Sequence, residues 1–275
     1  MSRTALPLAA TIALLPGLAP GLALAQARAS HCIAIAGGPE RTVQAAWQGG
    51  IGAFDVRVRY VDHSMFLIET GGGATAVTDY NGFLGPTAFL PDVVTMNRAH
   101  SSHWTATPDP AIPEVLRGWE GDGQAVEVAD LFVRNVPTDI RSGMGGAMPD
   151  GNSIYVFEAG GLCIAHLGHL HHVPDDTDFA MLGRMDVVFA PVDGGLTLPR
   201  SELLATLETL KARVVIPMHW FGRANVERFV SDMQAGGYEV DRTGEPERVF
   251  SLETLPDRPT VMVLEPEWLI DPAAD

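Results

Sequence analysis

The residues best suited to chemistry in this chain are its nine histidines, most of which crowd into a few short stretches. Neutral imidazole is the commonest protein ligand for zinc-like metals, and histidine also carries protons near neutral pH. A lone histidine is better explained as a surface or core residue with satisfied hydrogen bonds, and we interpret His31 in this way. The others favour a metal site, because they fall in turns or near the ends of predicted strands: His63, His100, His103, His166, His169, His171, His172 and His219.

Apolar and alternating runs predict the elements that would position these histidines. In the first half they predict strands at 55–61, 65–69, 74–79, 91–96, 131–136, 153–158 and 162–166. The second half alternates predicted strands at 185–190, 213–217 and 261–264 with predicted helices at 175–182, 199–210 and 225–234. Loops held by a rigid sheet commonly carry ligand-binding side chains. We therefore expect the histidine loops to converge on one point.

The order of these elements predicts an α/β fold in which helices cover the sheets. Of the 275 residues, 46% are hydrophobic, which allows a large core, and no repeat or linker divides the chain. The formal net charge of −16 repels phosphate backbones, so nucleic acid is a poor partner and a small-molecule substrate is expected. The sequence leaves the oligomeric state open.

The N-terminus has the pattern of an export signal. Arg3 precedes an apolar stretch at 5–25, and small residues around Ala25 and Ala27 offer cleavage sites. A retained membrane anchor is the second reading, but prolines within the stretch make a poor spanning helix. We expect a signal peptide at 1–27 and a single domain at 28–275, periplasmic or secreted and without stable membrane insertion after cleavage.

The two cysteines, Cys32 and Cys163, allow two readings. An oxidising compartment permits a disulfide between them. Separate thiols, with Cys163 buried in a strand, are slightly favoured, because the sequence alone does not bring the two residues together.

Six short segments follow one another in a specific order, at 62–69, Asp79, 98–103, 168–172, 191–195 and 216–219, the last reading Ile-Pro-Met-His. In this order the chain resembles the metallo-β-lactamase superfamily, specifically its branch of ascorbate-phosphate lactonase-like hydrolases, over roughly residues 56–264. The resemblance implies an αββα sandwich of two mixed β-sheets flanked by helices, with a metal site in the loops.

The chain departs from the ligand pattern of that family. Where the family has His-x-His-x-Asp-His, residues 98–103 place Arg98 at the first histidine and Ser102 at the aspartate. His169 stands where the family has a bridging aspartate. Two neighbouring divalent cations need an anionic bridge, so these losses favour a single ion.

These departures from the family pattern predict a one-ion site, with zinc expected and Mn or Fe as alternatives. Its implied metal ligands are His103, His169 and His219, with His100 as a fourth ligand or a proton shuttle. The implied catalytic group is His100, Arg98 and Asp193. Arg98 would hold an anionic group or the developing oxyanion, and Asp193, like Asp79, would orient a ligand histidine.

The function expected from these features is that of a metal-dependent hydrolase, in which metal-bound hydroxide attacks an ester, lactone, amide or phosphoester. A non-catalytic metal- or ligand-binding protein on the same fold is the main alternative, because an aspartate that positions water in the family is missing. Oxygen or redox chemistry on iron is a third hypothesis. A β-lactamase proper is disfavoured by the incomplete ligand set.

Overall fold

Two β-sheets form the centre of the structure, a computed structural model that describes residues 30–33, 50–97, 100–121, 123–143 and 145–271. The predicted signal segment at 1–27 and the candidate residue Arg98 lie outside these ranges. The first sheet has the strand order β13 (Glu247–Phe250), β1 (Val56–Asp62), β2 (Met65–Thr70), β3 (Thr75–Val77), β4 (Val93–Met96) and β5 (Glu114–Arg117). The second has the order β12 (Glu239–Arg242), β14 (Thr260–Val263), β11 (Val214–Met218), β10 (Val187–Pro191), β9 (Leu162–His166), β8 (Ala147–Ala159), β7 (Leu131–Arg141) and β6 (Ala125–Val128).

Both sheets are mixed, as the sequence predicts. In the first sheet, β13, β1, β2 and β3 pair antiparallel, whereas β3, β4 and β5 run parallel. In the second, β6 to β9 pair antiparallel, and β9, β10, β11, β14 and β12 run parallel. Parallel strands end at the same edge of a sheet, so the loops after them become neighbours.

Three helices occur in the described residues, and each contributes to the apolar layer on the outer face of the second sheet. They are α1 (Asp176–Leu182), α2 (Arg200–Leu210) and α3 (Arg223–Ala235). The α3 helix buries Val226, Phe229, Val230 and Met233, the spacing of one helical face. Asp175 caps α1 by accepting hydrogen bonds from the backbone N–H groups of residues 177 and 178.

The first sheet is covered differently on its outer face. There the described apolar layer comes from strands and irregular segments, including Tyr80, Leu84, Ile112 and Leu269, and no described helix contributes to it. Between the sheets, Phe66 of β2 stacks on Phe189 of β10, with ring centroids 4.2 Å apart. Burying such a side chain contributes about 1.5–3 kcal/mol.

Cys32 and Cys163 form a disulfide, with Cα atoms 6.0 Å apart and a sequence separation of 131. The expectation of two separate thiols was wrong. A long-range contact that the sequence does not show brings the two cysteines together. The backbone N–H of His31 donates to Glu158 Oε2 at 2.8 Å, which brings residues 30–33 alongside β9. The same carboxylate accepts from Arg134 Nε at 2.8 Å, in a buried ion pair.

The chain between β7 and β8 forms a long hairpin, in which Ile140 pairs with Met148 and Arg141 with Ala147. In the glycine-rich segment 143–150, residues 147–150 belong to β8 and extend this pairing. Among the described helices, none combines the length and the apolar character needed to cross a membrane.

Candidate metal centre

The loops that carry the histidines meet at one edge of the two-sheet structure. Asp79 follows β3 and His103 follows β4, which is parallel to β3. In the second sheet His169, Asp193 and His219 follow the parallel strands β9, β10 and β11. The order of the strands thus assembles side chains that are far apart in sequence.

His103 is completely buried and is oriented by Asp79. Its Nδ1–H donates to Asp79 Oδ2 at 2.5 Å. The other carboxylate oxygen accepts from Asn97 Nδ2 at 2.8 Å, which fixes the carboxylate in turn. Burial raises the pKa of Asp79, but the neighbouring His103 and His166 and these hydrogen bonds outweigh it, so the pKa lies well below its usual range. The lone pair of His103 Nε2 is therefore free to bind a cation.

His219 has a matching arrangement on the opposite sheet. It is fully buried, and its Nδ1–H donates to Asp193 Oδ2 at 2.9 Å. Asp193 also accepts from the backbone N–H groups of Gly195, Leu196 and Thr197. Burial raises the pKa of this carboxyl, yet the bonds from His219 and from the loop hold the pKa well below its usual range. Asp193 thus orients His219, the role expected from the sequence.

The two imidazoles face one another, with His219 Nε2 3.2 Å from His103 Nε2. In the neutral form, a ring that donates its Nδ1–H to a carboxylate has its lone pair on Nε2, so the two neutral rings present lone pairs to each other. Two nitrogen ligands of a tetrahedral zinc ion are about 3.3–3.4 Å apart when each bond is about 2.0–2.1 Å. The two Nε2 atoms therefore have the separation of two ligands of one cation.

His63 and His100 complete a cluster with this pair. One ring nitrogen from each of the four histidines lies within 4.8 Å of all the others. His100 was expected in the site, whereas His63 was not assigned there from the sequence. Burial and the surrounding imidazoles lower the pKa of His63 to about 3 and that of His100 to about 4, so both rings are neutral at pH 7.

Backbone strain accompanies this arrangement at three site residues. His63, Asp79 and His219 have φ values of 47°, 45° and 54°, in the left-handed region that non-glycine residues rarely adopt. The carbonyl of His63 accepts from Tyr60 Oη at 2.6 Å and from the backbone N–H of His219 at 2.7 Å. Such strain persists where surrounding contacts enforce it, and it is typical of functional sites.

His169 lies beside the four-histidine cluster but is not a member of it. Its ring centroid is 4.7 Å from that of His219, 4.8 Å from that of His100 and 5.0 Å from that of His103. His169 Nδ1 lies 2.7 Å from His171 Nε2. Burial and the neighbouring imidazoles lower the pKa of His169 to about 2, which keeps the ring neutral.

Other candidates have separate roles. His166 is buried between the carbonyl of Ser64, 2.7 Å from its Nε2, and the backbone N–H of Gly168, which donates to its Nδ1 at 3.1 Å. Both of its nitrogens are satisfied, so it is a structural residue. Ser102 Oγ lies 2.8 Å from His100 Nδ1, on the exposed side of the site.

A cavity of about 460 Å³ opens directly beside the cluster. Its walls include His63, His100, Asp62 and the aromatic residues Tyr60 and Phe221. Phe221 is 66% exposed, which is unusual for a side chain of this size, and it lies against the rings of both His63 and His219. The cluster is therefore accessible to a small molecule.

Sequence comparison relates this chain to known proteins. The pattern described as "Beta-lactamase superfamily domain" matches residues 57–219. A UPF0173 metal-dependent hydrolase from Methanocorpusculum labreanum is 27% identical over 188 residues, 60% of this chain and 83% of that protein. Another from Opitutus terrae is 25% identical over 223 residues, 71% of this chain and 97% of its own length.

Solved structures agree with this placement. A Thermotoga maritima protein assigned as a Zn-dependent hydrolase of the metallo-β-lactamase superfamily matches with a TM-score of 0.56 and 26% identity, over 77% of this chain and 100% of that one. Igni18, a metallo hydrolase of Ignicoccus hospitalis, shares the fold with a TM-score of 0.53 at 18% identity, over 72% of this chain and 99% of its own. Because the superfamily pattern spans more than half of the sequence, the chain belongs to the metallo-β-lactamase superfamily.

Proposed function

We propose that this protein is a metal-dependent hydrolase that uses a single divalent cation, zinc in the first place, to cleave an ester, lactone, amide or phosphoester bond. The observation that carries the proposal is the pair of facing Nε2 atoms on His103 and His219, 3.2 Å apart. Two neutral imidazoles in this arrangement repel unless a proton or a metal cation lies between them, and the other histidines of the cluster favour the metal. The relatives named as metal-dependent hydrolases support the same class of activity.

The donor set of the cluster fits zinc. His103 and His219 would be the principal ligands, with His63 or His100 close enough to be the third, which leaves one position of a tetrahedral ion open for water or substrate. All four donors are imidazole nitrogens, which suit zinc, iron and copper rather than magnesium or calcium. Asp79 and Asp193 are both engaged with Nδ1–H groups, so neither of them is left as a charged bridge for a second cation.

A bound cation would supply Lewis acidity, polarising a substrate carbonyl or phosphoryl group and lowering the pKa of water. The protein contributes the rest through its own side chains. Asp79 and Asp193 keep His103 and His219 in the tautomer with a free Nε2. His100 is a neutral base at the exposed side of the cluster, and Ser102 Oγ beside its Nδ1 offers a path for a proton toward solvent.

The cavity beside the cluster would hold the substrate. Trp220 and Phe221 provide an aromatic wall, and Asp62 is the acidic residue of its lining. Aromatic walls with few polar groups are typical of small-molecule sites. A substrate with an apolar or aromatic portion next to its scissile bond fits this cavity best.

We also propose that the protein works outside the cytoplasm. The disulfide between Cys32 and Cys163 supports this location, because such bonds persist in oxidising compartments. The sequence-based assignment of an export signal points the same way.

Metal analysis combined with turnover tests the proposal. Purified protein should contain about one equivalent of zinc, lose it to a chelator, and hydrolyse at least one member of a panel of aryl esters, lactones, amides and phosphodiesters only when metal is restored. His219→Gln should lose both metal and turnover. One equivalent of metal without turnover across the panel would favour a binding protein instead, and absence of metal from folded protein would contradict the proposal.

A further inference from the structure

One nitrogen at the site has no partner that the fold accounts for. His169 is only 4% exposed, and its Nε2 is buried without a hydrogen-bond partner among the described residues. A buried polar group left unpaired destabilises the fold, so native structures rarely keep one without a function. This nitrogen belongs to a ring packed against the imidazoles of His103 and His219.

The protonation of His169 follows from a chain of hydrogen bonds that starts at the backbone. The N–H of Arg141 can only donate, and it donates to His171 Nδ1 at 2.6 Å. A neutral His171 must then carry its proton on Nε2, which lies 2.7 Å from His169 Nδ1. His169 Nδ1 therefore accepts, and the proton of the neutral His169 ring is on Nε2. This tautomer is opposite to that of His103 and His219.

We propose that His169 is not a metal ligand but a fixed N–H donor, which hydrogen-bonds through Nε2 to an oxygen atom of the substrate. A ring with a proton on Nε2 and an occupied Nδ1 has no lone pair for a cation. Its complement is a group that can only accept, namely a carboxylate, carbonyl or phosphoryl oxygen. His171 is a positioning residue, since it acts on the substrate only through His169.

This role deepens the proposed hydrolase function and rests on it for the identity of the ligand. An oxygen held by His169 would lie among the rings of His100, His103 and His219, beside the cation those histidines would bind. A donor there would stabilise negative charge that develops on that oxygen during bond cleavage. The tautomer of His169 does not depend on metal. The donor role of His169 and the metal-dependent hydrolase function can therefore be tested separately.

Nitrogen NMR of the metal-free protein decides the tautomer. In a two-bond proton–nitrogen correlation spectrum of protein labelled at histidine with ¹⁵N, we expect His169 to show a protonated Nε2 and an unprotonated Nδ1. His103 and His219 should show the reverse. A protonated Nδ1 on His169 would overturn the proposal, whether or not the protein binds metal.

The role of His171 has its own readout in the same spectrum. His171→Phe should remove the hydrogen bond that fixes the tautomer of His169. The ring of His169 should then also populate the form protonated on Nδ1. His171→Gln places an amide donor near the position of the lost Nε2–H and should restore the wild-type pattern. Retention of that pattern in the Phe variant would exclude His171 as the positioning residue.

Ligand binding provides the second measurement. In Co²⁺-loaded protein, titration with acetate should shift the visible spectrum, and His169→Ala should weaken acetate binding by at least about tenfold. Its Co²⁺ affinity should stay within about threefold of wild type, whereas His219→Gln should lose about 100-fold or more. The exposed neighbour supplies a control, His172→Ala, which should match wild type in both respects. If His169→Ala lost as much Co²⁺ affinity as His219→Gln, His169 would be a metal ligand and the proposal would be overturned. Unchanged acetate binding by His169→Ala would also overturn it.

Discussion

His103 and His219 point their Nε2 atoms at each other across 3.2 Å, while Asp79 and Asp193 hold the opposite nitrogen of each ring. The two carboxylates come from different sheets, one after β3 and one after β10. Each imidazole is thus oriented by its own half of the fold, and the metal site depends on both halves staying in register.

Removing the charge from one orienting carboxylate should weaken metal binding without removing a ligand. We expect Asp193→Asn to lower zinc affinity by about 10–100-fold, because a neutral amide is a weaker acceptor for His219 Nδ1–H. Competition with a chromophoric chelator measures this affinity. The exposed residue Glu253 offers a charge-matched control, Glu253→Gln, which should bind zinc like wild type. Equal affinities in the two variants would show that the contact to Asp193 does not tune the site.

Acidification should destabilise the metal-free protein before its carboxylates titrate. Burial, with the surrounding imidazoles, lowers the pKa of His63 to about 3 and that of His169 to about 2, from an ordinary 6.5. Below about pH 6.5 the unfolded chain takes up protons that the folded chain cannot, so the free energy of unfolding falls as the pH falls toward these values. Urea unfolding between about pH 8 and about pH 4.5 should show this decline. His169→Leu should make it shallower, and a slope that the substitution leaves unchanged would contradict the assignment.

Gly168 should not tolerate a side chain. Its φ is 60°, and an added Cβ would overlap Asn152 Oδ1 and Asn97 Nδ2. These atoms hold the site, because Asn97 donates to Asp79 and Asn152 accepts from the backbone N–H of His169. We expect Gly168→Ala to cost about 2–4 kcal/mol and to reduce metal uptake.

A matched glycine lies in the loop after β10. Gly195 has open space around its Cβ position, so Gly195→Ala should change the free energy of unfolding by less than about 0.5 kcal/mol. Chemical denaturation of the two variants side by side gives both values. If both alanines were tolerated equally, the crowding at Gly168 would not be a constraint on the fold.

Loss of the disulfide should lower stability but leave the metal centre formed. Cys32 and Cys163 are tied across 131 residues of sequence, and the bond packs on the face of the second sheet that α1 to α3 cover. We expect the double substitution of both cysteines by serine to cost about 2–4 kcal/mol. Wild-type protein unfolded in the presence of a reductant should show the same loss. A reduced protein as stable as the oxidised one would count against a structural role for the bond.

Local sequence patterns were enough for most of the fold. The strand β1 and the helix α3 have clear apolar periodicity, and β9 is a continuous apolar run because it is buried on both faces. The strands β5, β6, β12 and β13 were not predicted. Each has four residues, lies at the edge of its sheet and is largely unburied, so its strand conformation comes from a distant partner rather than from its own pattern.

The candidate site was predicted in outline, with one omission. His100, His103 and His219 lie together in the structure, but His63 was grouped with the other loop histidines and not named as a ligand, although it directly follows the predicted strand 55–61. Topology could have found it. In an antiparallel sheet the turn between β1 and β2 lies at the same edge as the end of β3, where Asp79 is located.

The carbonyl of His63 accepts one hydrogen bond from Tyr60 in the first sheet and another from the His219 amide in the second. His63 of the first sheet and His219 of the second are therefore held through the same carbonyl group, where the two sheets meet. A cation bound there would link the two sheets, so that separation of the sheets and release of the ion would occur together. A change that weakens ion binding should therefore also make the two sheets easier to separate, and a change that strengthens it should have the opposite effect.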